Sequence, residues 1–396
     1  MSAPAVPTQT APASSVDSSS PVASTRLTSL DLFRGVTIAA MILVNNPGND
    51  HPYWPLEHAE WNGWTPTDLI FPFFLFIVGV SLVFSSESRL RRGDSRNVLL
   101  PHAFRRGVII FAIGLAMNYS LVLIAPSAFP GLRIPGVLQR IGVCYLAASI
   151  LFLYTSSRTR AVVVAALLLG YWLLMRFVPV PGYGVPGRDI PFLHPDANLA
   201  AYLDRRFLTT LWEKTRDPEG LLSTLPAMAT ALLGVSTGEW LRSKNSSQTK
   251  LVGMLVFGAL GLVVGRTWGI WFPLNKKLWT SSYVLFTAGF ALVCLALCYW
   301  ATDIKTWRVT WAKPFLIFGR NAIAAYIVAW FFAVLQFVIN FRRNGQIENS
   351  HEYIFRRFFA PLGSPSFTSL LFSLAFVALC LVPMWLMDRK KIFLKI

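Results

Sequence analysis

Asp68 and a histidine ten or seventeen residues before it, His58 or His51, are groups whose types and spacing could share a proton. They lie in a stretch dense in polar and aromatic residues, Asn45 to Asp68, that also holds Asn46, Asn49 and Asp50. A carboxylate bonded to one imidazole nitrogen fixes the tautomer and makes the other nitrogen a better base. An imidazole, which ordinarily titrates near pKa 6.5, suits removal of a proton from an amine nucleophile. A covalent acyl-imidazole would instead split a group transfer into two steps. Either His51 or His58 could be the partner of Asp68. A structural role for Asp68 competes with this one. Thr65-Pro66-Thr67-Asp68 offers an N-cap threonine, a proline at the first helical position and an acid at the third, the pattern of a capping box. Tyr53, Trp54, Trp61 and Trp64 suit an aromatic belt at a membrane edge, and equally a platform for stacking on sugar rings.

Ionisable residues inside apolar runs give a second signal, because they are costly in lipid and usually pair or mark a site. Arg34 follows Asp31 by three residues, a spacing that permits an internal ion pair. Arg140 lies about six residues, or roughly 9 Å, into a predicted helix that starts at Ile134. Arg320 and Asn321 lie a turn or two into another predicted helix, and Glu239 closes a third. The stretch from Glu87 to Arg106 is the most basic. It fits attraction to anionic lipid or docking of a phosphorylated ligand, since arginine forks match phosphate. No phosphate-cradling Walker loop and no GxGxxG turn is present, so a nucleotide would be held by side chains between helices. Cys144, Cys294, Cys298 and Cys380 lie in apolar runs and read as small buried side chains; no metal-binding spacing is evident.

The elements that must position these groups are membrane helices. Of 396 residues 54% are hydrophobic and 14% charged, against roughly 25% charged in soluble domains, so the apolar excess needs lipid as a second solvent. The formal charge of +17 is spread between apolar segments rather than over a soluble basic face, which argues against nucleic acid as a partner. The fold class expected is all-α, a polytopic transmembrane helix bundle of about ten spans. These are Leu30 to Asn46, Thr65 to Ser86, Ala103 to Asn118, Ile134 to Tyr154, Ala161 to Val178, Leu221 to Leu241, Lys250 to Gly265, Thr280 to Thr302, Pro314 to Asn340 and Phe367 to Met387. The ninth is long enough to tilt, kink or split, which would make eleven. Residues 1–25, rich in Ala, Pro, Ser and Thr, read as a disordered tail without signal-peptide features, and residues 26–396 as one membrane domain. Lys and Arg concentrate on the tail and even-numbered loops, while the first opposite loop, Pro47 to Trp64, has none. Both termini are therefore expected in the cytoplasm. The long connection from Pro179 to Gly220 turns amphipathic around Leu199 to Trp212 and is expected to act as a lid or surface helix on the outer face.

Three segments carry a family resemblance: Ser29-Leu30-Asp31-Leu32-Phe33-Arg34-Gly35; Glu57 to Asp68 continuing into Phe71-Pro72-Phe73-Phe74-Leu75-Phe76-Ile77-Val78-Gly79; and Arg133 to Gly142. They resemble the heparan-α-glucosaminide N-acetyltransferase family, most specifically over residues 26–145, with Gly319-Arg320-Asn321-Ala322 a weaker likeness. The resemblance implies transfer of an acetyl group from cytosolic acetyl-CoA, as co-substrate, to an amino sugar across the bilayer. It implies that His58 is the active histidine, Asp68 the acid that orients it, and Asn45 the asparagine ending helix one. His51 falls where this loop is longer than the family pattern and receives no role. Arg105 and Arg106 are expected to contact CoA phosphates, with Arg34 or Arg140 deeper. The size of the chain is similar to bacterial members, which implies the bacterial inner membrane. A homodimer is expected only from the habit of membrane families. A transporter for amino sugars is the competing function, and a scaffold without catalysis a third.

Overall fold

Nine of the ten apolar runs each fold as one long helix of a bundle, and the remaining one folds as a bent pair. The computed structural model describes residues 27–127, 131–307, 310–343 and 346–394; the tail expected over residues 1–25 lies outside the described residues. The long helices are α1 (Thr28–Val44), α2 (Ile70–Leu90), α3 (Arg96–Ile124), α4 (Val137–Tyr154) and α5 (Ser157–Phe177), followed, after the short α6 (Leu199–Phe207), by α7 (Thr224–Arg242), α8 (Ser247–Trp268) and α9 (Ser281–Tyr299). Next come α10 (Lys313–Arg320) and α11 (Ala322–Val338), a hairpin of β1 (Asn340–Arg343) and β2 (Gln346–Asn349), the short α12 (Ser350–Ile354), and α13 (Pro365–Arg389). The hairpin is antiparallel, with Asn340 opposite Asn349.

Among the described residues seven helices are long and apolar enough to cross a membrane. The ninth predicted span is a pair: α10 and α11 meet at an angle of 85°, and counting them as one crossing gives eight. The chain is thus an all-α membrane protein. α1 and α7, read from sequence as spans, fall outside the seven. α1 is apolar but, at 17 residues, short for a span, whereas α7 is long enough but less apolar, and it buries a large share of its side chains against neighbouring helices, so it needs less apolar surface than a helix facing lipid. The first of the two tightest crossings is between α2 and α7, where a Cβ on Gly79 would stand 2.0 Å from the carbonyl oxygen of Ala231, and one on Gly234 would stand 2.1 Å from that of Phe76. The other is between α1 and α10, at Gly35 and Gly319. Small residues there let backbones approach.

The bend between α10 and α11 falls at Asn321, which is buried. Its amide donates to the carbonyl of Ile392 at 3.0 Å and accepts from the N–H of Leu394 at 3.0 Å, so it anchors the segment after α13. Arg320 pairs with Asp388 at 2.9 Å.

The long connection is ordered and built mostly of turns, with α6 set in it. Leu199, Ala200, Ala201 and Asp204 face inward, while Phe207 is exposed. This is the surface helix that the amphipathic pattern predicts.

Candidate active site

The site starts from a local event, the capping of the turn that opens α2. Residues Pro66–Leu69 form a 3-10 turn leading into α2, with Thr65 at the N-cap. The Asp68 carboxylate is buried and its two oxygens serve different partners. Oδ2 accepts from the backbone N–H of Thr65 at 3.0 Å, from that of Ala59 at 3.0 Å, and from Thr65 Oγ1 at 3.2 Å. Oδ1 lies 2.7 Å from His58 Nδ1. The capping box and the imidazole contact are therefore both present, one on each oxygen. The box turns Oδ1 toward the loop and the loop brings His58 to it. Thr65 Oγ1 also reaches the carbonyl of Glu57 at 2.6 Å, closing the loop on itself. From below, Tyr283 of α9 donates its hydroxyl to the backbone carbonyl of Asp68.

A carboxylate at Nδ1 calls for the proton on that nitrogen, which leaves a lone pair on Nε2. The His58 side chain is 47% exposed, whereas that of Asp68 is 1% exposed. The buried acid and accessible base have the geometry of an oriented imidazole able to take a proton from, or be acylated by, a molecule arriving from the loop side.

Sequence reasoning missed Lys276. Its ammonium nitrogen lies 3.0 Å from His58 Nδ1, 3.3 Å from His58 Nε2 and 3.5 Å from Asp68 Oδ1. Lys276 sits in the connection between α8 and α9, which is tied to the His58 loop by Gly63 N–H to the Leu274 carbonyl at 2.8 Å and by the Asn275 amide to Asn62 at 3.2 Å. Burial pulls the Lys276 ammonium below the ordinary lysine value, while Asp68 and Glu219 pull it up. The available signal was the pair Lys276-Lys277 in a short loop on the side expected to be poor in basic residues.

The long connection closes over this end of the bundle. Trp61 donates its indole N–H to the Leu193 carbonyl at 2.8 Å, and the Arg216 guanidinium lies over the Trp61 ring at 4.7 Å. Lys277 pairs with Glu213 at 3.0 Å. Arg133 is forked by Asp217 at 2.7 and 2.6 Å and also bonds Glu219 at 2.5 Å. Those acids raise the affinity of Arg133 for its proton against the opposing effect of burial. Within the same connection, burial pushes the Asp204 carboxyl up to about 6, although the N–H groups of Leu221 and Asp217 bond it. Of the aromatics read as a belt or sugar platform, Trp61 and Trp64 are half-buried, Trp64 against Phe286 and Phe290, while Tyr53 and Trp54 stay exposed.

The other candidates lie elsewhere. Asn45 is the C-cap of α1 and is exposed, with no side-chain hydrogen bond to His58 or Asp68 among the described residues. Arg34 bonds Asp31 at 3.2 Å, the Gly319 carbonyl at 3.2 Å and Ser81 at 2.6 Å, so it ties α1 to α2 and α10. The ion pair expected from the i, i+3 spacing is there. Arg140 is not six residues deep: α4 starts at Val137, which puts Arg140 in its first turn. It donates to Ser223 at 2.5 Å and to the Gly220 carbonyl at 3.2 Å, lies over Trp279 at 5.2 Å, and is buried with Nε and Nη1 unpartnered among the described residues.

Arg105 and Arg106 are on α3, which starts at Arg96, seven residues before the predicted Ala103. They line a cleft of about 270 Å³ with Ser85, Ser86, Arg89 and His102. Arg106 lies over Tyr145 at 4.9 Å, and its Nε is buried without a partner among the described residues. Arg89 is engaged by Asp94 at 2.9 Å. The cleft flanks the last turns of α2 and Asp68 precedes its first, so the two sites are separated by the length of α2, roughly 30 Å for its 21 residues.

Comparison with known proteins decides the family. The family described as heparan-alpha-glucosaminide N-acetyltransferase, catalytic, matches residues 26–267. This chain belongs to that family. The mouse heparan-alpha-glucosaminide N-acetyltransferase is 32% identical over a region covering 76% of this chain and 53% of its own length. The human protein of the same name is 33% identical, over 76% of this chain and 52% of its own length. The chain thus spans about half the length of the curated relatives it matches. The family match contains His58, Asp68 and Asn45 together with Arg34, Arg105, Arg106 and Arg140, and it stops short of Lys276.

Proposed function

We propose that this chain is a transmembrane acetyltransferase that moves an acetyl group from acetyl-CoA to the amine of an amino sugar on the opposite face of the membrane. The observation that carries this reading is the His58–Asp68 contact at 2.7 Å, with the imidazole accessible and the acid buried. The amine nitrogen forms a bond to the thioester carbonyl, His58 Nε2 takes the amine proton, and the carbon–sulfur bond breaks to release CoA as a thiol once protonated. In the two-step variant Nε2 itself receives the acetyl group and passes it to the amine. Asn45 is assigned to donate to the thioester oxygen as it gains charge.

The CoA phosphates fit the cleft on α3, where Arg105 and Arg106 carry donors without an acidic partner among the described residues and one buried nitrogen is unsatisfied. Arg34 is committed to helix packing, and Arg140, despite two unpartnered buried nitrogens, lies beside Gly220 and Trp279 at the other end of the bundle, out of reach of phosphates in this cleft. In this reading ten crossings include α1, α7 and the bent α10–α11 pair. Both termini and the cleft face the cytoplasm, and His58 faces the periplasm of a bacterial inner membrane.

Purified protein given radiolabelled acetyl-CoA and glucosamine is expected to form the N-acetyl product. Arg105→Ala with Arg106→Ala is expected to raise KM for acetyl-CoA about tenfold or more while leaving kcat within a few-fold, the signature of lost ground-state binding. Uptake of unmodified glucosamine into proteoliposomes without acetyl-CoA would favour the transporter instead.

A further inference from the structure

Among the described residues Lys276 is the cation in contact with His58, and its position over the ring is informative. An ammonium in line with the lone pair of one ring nitrogen stands well away from the other nitrogen. Here the two distances are nearly equal, 3.0 Å to Nδ1 and 3.3 Å to Nε2, so the ammonium lies across the ring rather than capping either nitrogen. The backbone that holds it is fixed. Asn275 is fully buried and accepts from Leu278 N–H at 2.9 Å, Asn275 N–H bonds Thr280 Oγ1 at 3.1 Å, and Leu274, Leu278 and Trp279 are buried on both sides.

A buried carboxylate bonded to an imidazole favours the protonated ring, and a protonated ring is useless as a base or as an acyl acceptor. A second cation against the ring opposes that protonation. The charged groups around His58 are few enough to name. Glu57 and Glu60 flank it in its own loop and are exposed. Asp68 comes from the start of α2 and Lys276 from the connection before α9. Lys277 is paired with Glu213, and Glu219 of the long connection is bonded by Arg133. Asp68 and Lys276 are thus the opposed charges in contact with the ring.

We propose that Lys276 is a positioning residue that keeps His58 unprotonated, so that the site works at lower pH than the His58–Asp68 pair alone would allow. This deepens the acetyltransferase reading and rests on it for its purpose, but its test does not need turnover. Diethyl pyrocarbonate acylates only the neutral imidazole, so its rate at His58, read by peptide mass spectrometry across pH, reports the proton directly. In Lys276→Met the midpoint of that rate is expected to rise by about one pH unit or more, as loss of a contacting charge implies. Lys276→Arg, which keeps the charge, is expected to stay near wild type. Where Lys276→Met does not fold, Lys276→Gln carries the same comparison. If acetyl transfer is measured alongside, the acid limb of its pH profile is expected to move up with the midpoint. An unmoved midpoint in the uncharged variant overturns the proposal. A moved midpoint in Lys276→Met, together with no acetyl transfer by the wild type, would overturn the acetyltransferase reading and leave the role of Lys276 standing.

Discussion

Replacing Asp68 with Asn separates the two functions of one carboxylate. The asparagine oxygen can still accept from the N–H groups of Thr65 and Ala59, so the turn that opens α2 should lose only about 1 kcal/mol. Its amide would then face His58 Nδ1 as a donor, forcing the ring proton onto Nε2 and removing the base. The expected outcome is a fall in kcat of about 10²–10⁴-fold with a melting temperature near wild type. A large loss of stability with unchanged kcat in the folded fraction would show that Asp68 serves the cap alone. His58→Ala should lose as much activity without touching the cap. A second residue-scale expectation concerns Asp204. Its carboxyl is pushed up to about 6 by burial, so the folded state favours the protonated form. That contribution is full below the ordinary value of 3.8 and is lost as pH rises through about 6. Melting temperature should therefore fall between pH 4 and 6 partly through this group, and Asp204→Asn should flatten that slope. An unchanged slope would contradict it. A histidine partner for Asp68 was legible from residue type and spacing, but these left His51 and His58 both open, and only the family resemblance singled out His58. Lys276 was not legible, because 218 positions separate it from His58 and only the packing of two loops joins them.

At the scale of elements, the crossing of α2 and α7 is one of the two tightest in the bundle. Gly79→Val would drive a side chain into the Ala231 carbonyl, whose oxygen would stand 2.0 Å from the new Cβ. Overpacking costs about 1–3 kcal/mol, more where backbone must move. The expected outcome is a sharp loss of folded protein on size exclusion, whereas Val78→Ala beside it, partly exposed, should be tolerated. The same scale shows what hydrophobic pattern can convey. The ten apolar runs were found because burial in lipid or among helices needs continuous apolar length, and their ends shifted by a few residues where polar residues continue a helix, as at Arg96 in α3. The 85° bend at Asn321 was legible only as excess length, because it depends on a contact with the segment after α13 that no local pattern announces. Asn321→Ala should release that segment, seen as faster proteolysis after α13, with little change at His58.

For the molecule as a whole, the cleft on α3 and the His58–Asp68 pair lie at opposite ends of α2, and the proposed function assigns them to donor and acceptor. Single cysteines in a background lacking Cys144, Cys294, Cys298 and Cys380 would report sides: Glu60→Cys and Arg91→Cys are expected to label from opposite faces of intact membranes. The measurement that bears most directly on the central claim is transfer between compartments. Sealed proteoliposomes would hold glucosamine inside and receive radiolabelled acetyl-CoA outside. Protein inserted with its cleft outward should produce labelled N-acetylglucosamine in the lumen, and His58→Ala should abolish it while still binding acetyl-CoA. Labelled product that persists in His58→Ala, or glucosamine that leaves the lumen unmodified while no product forms, would contradict the account.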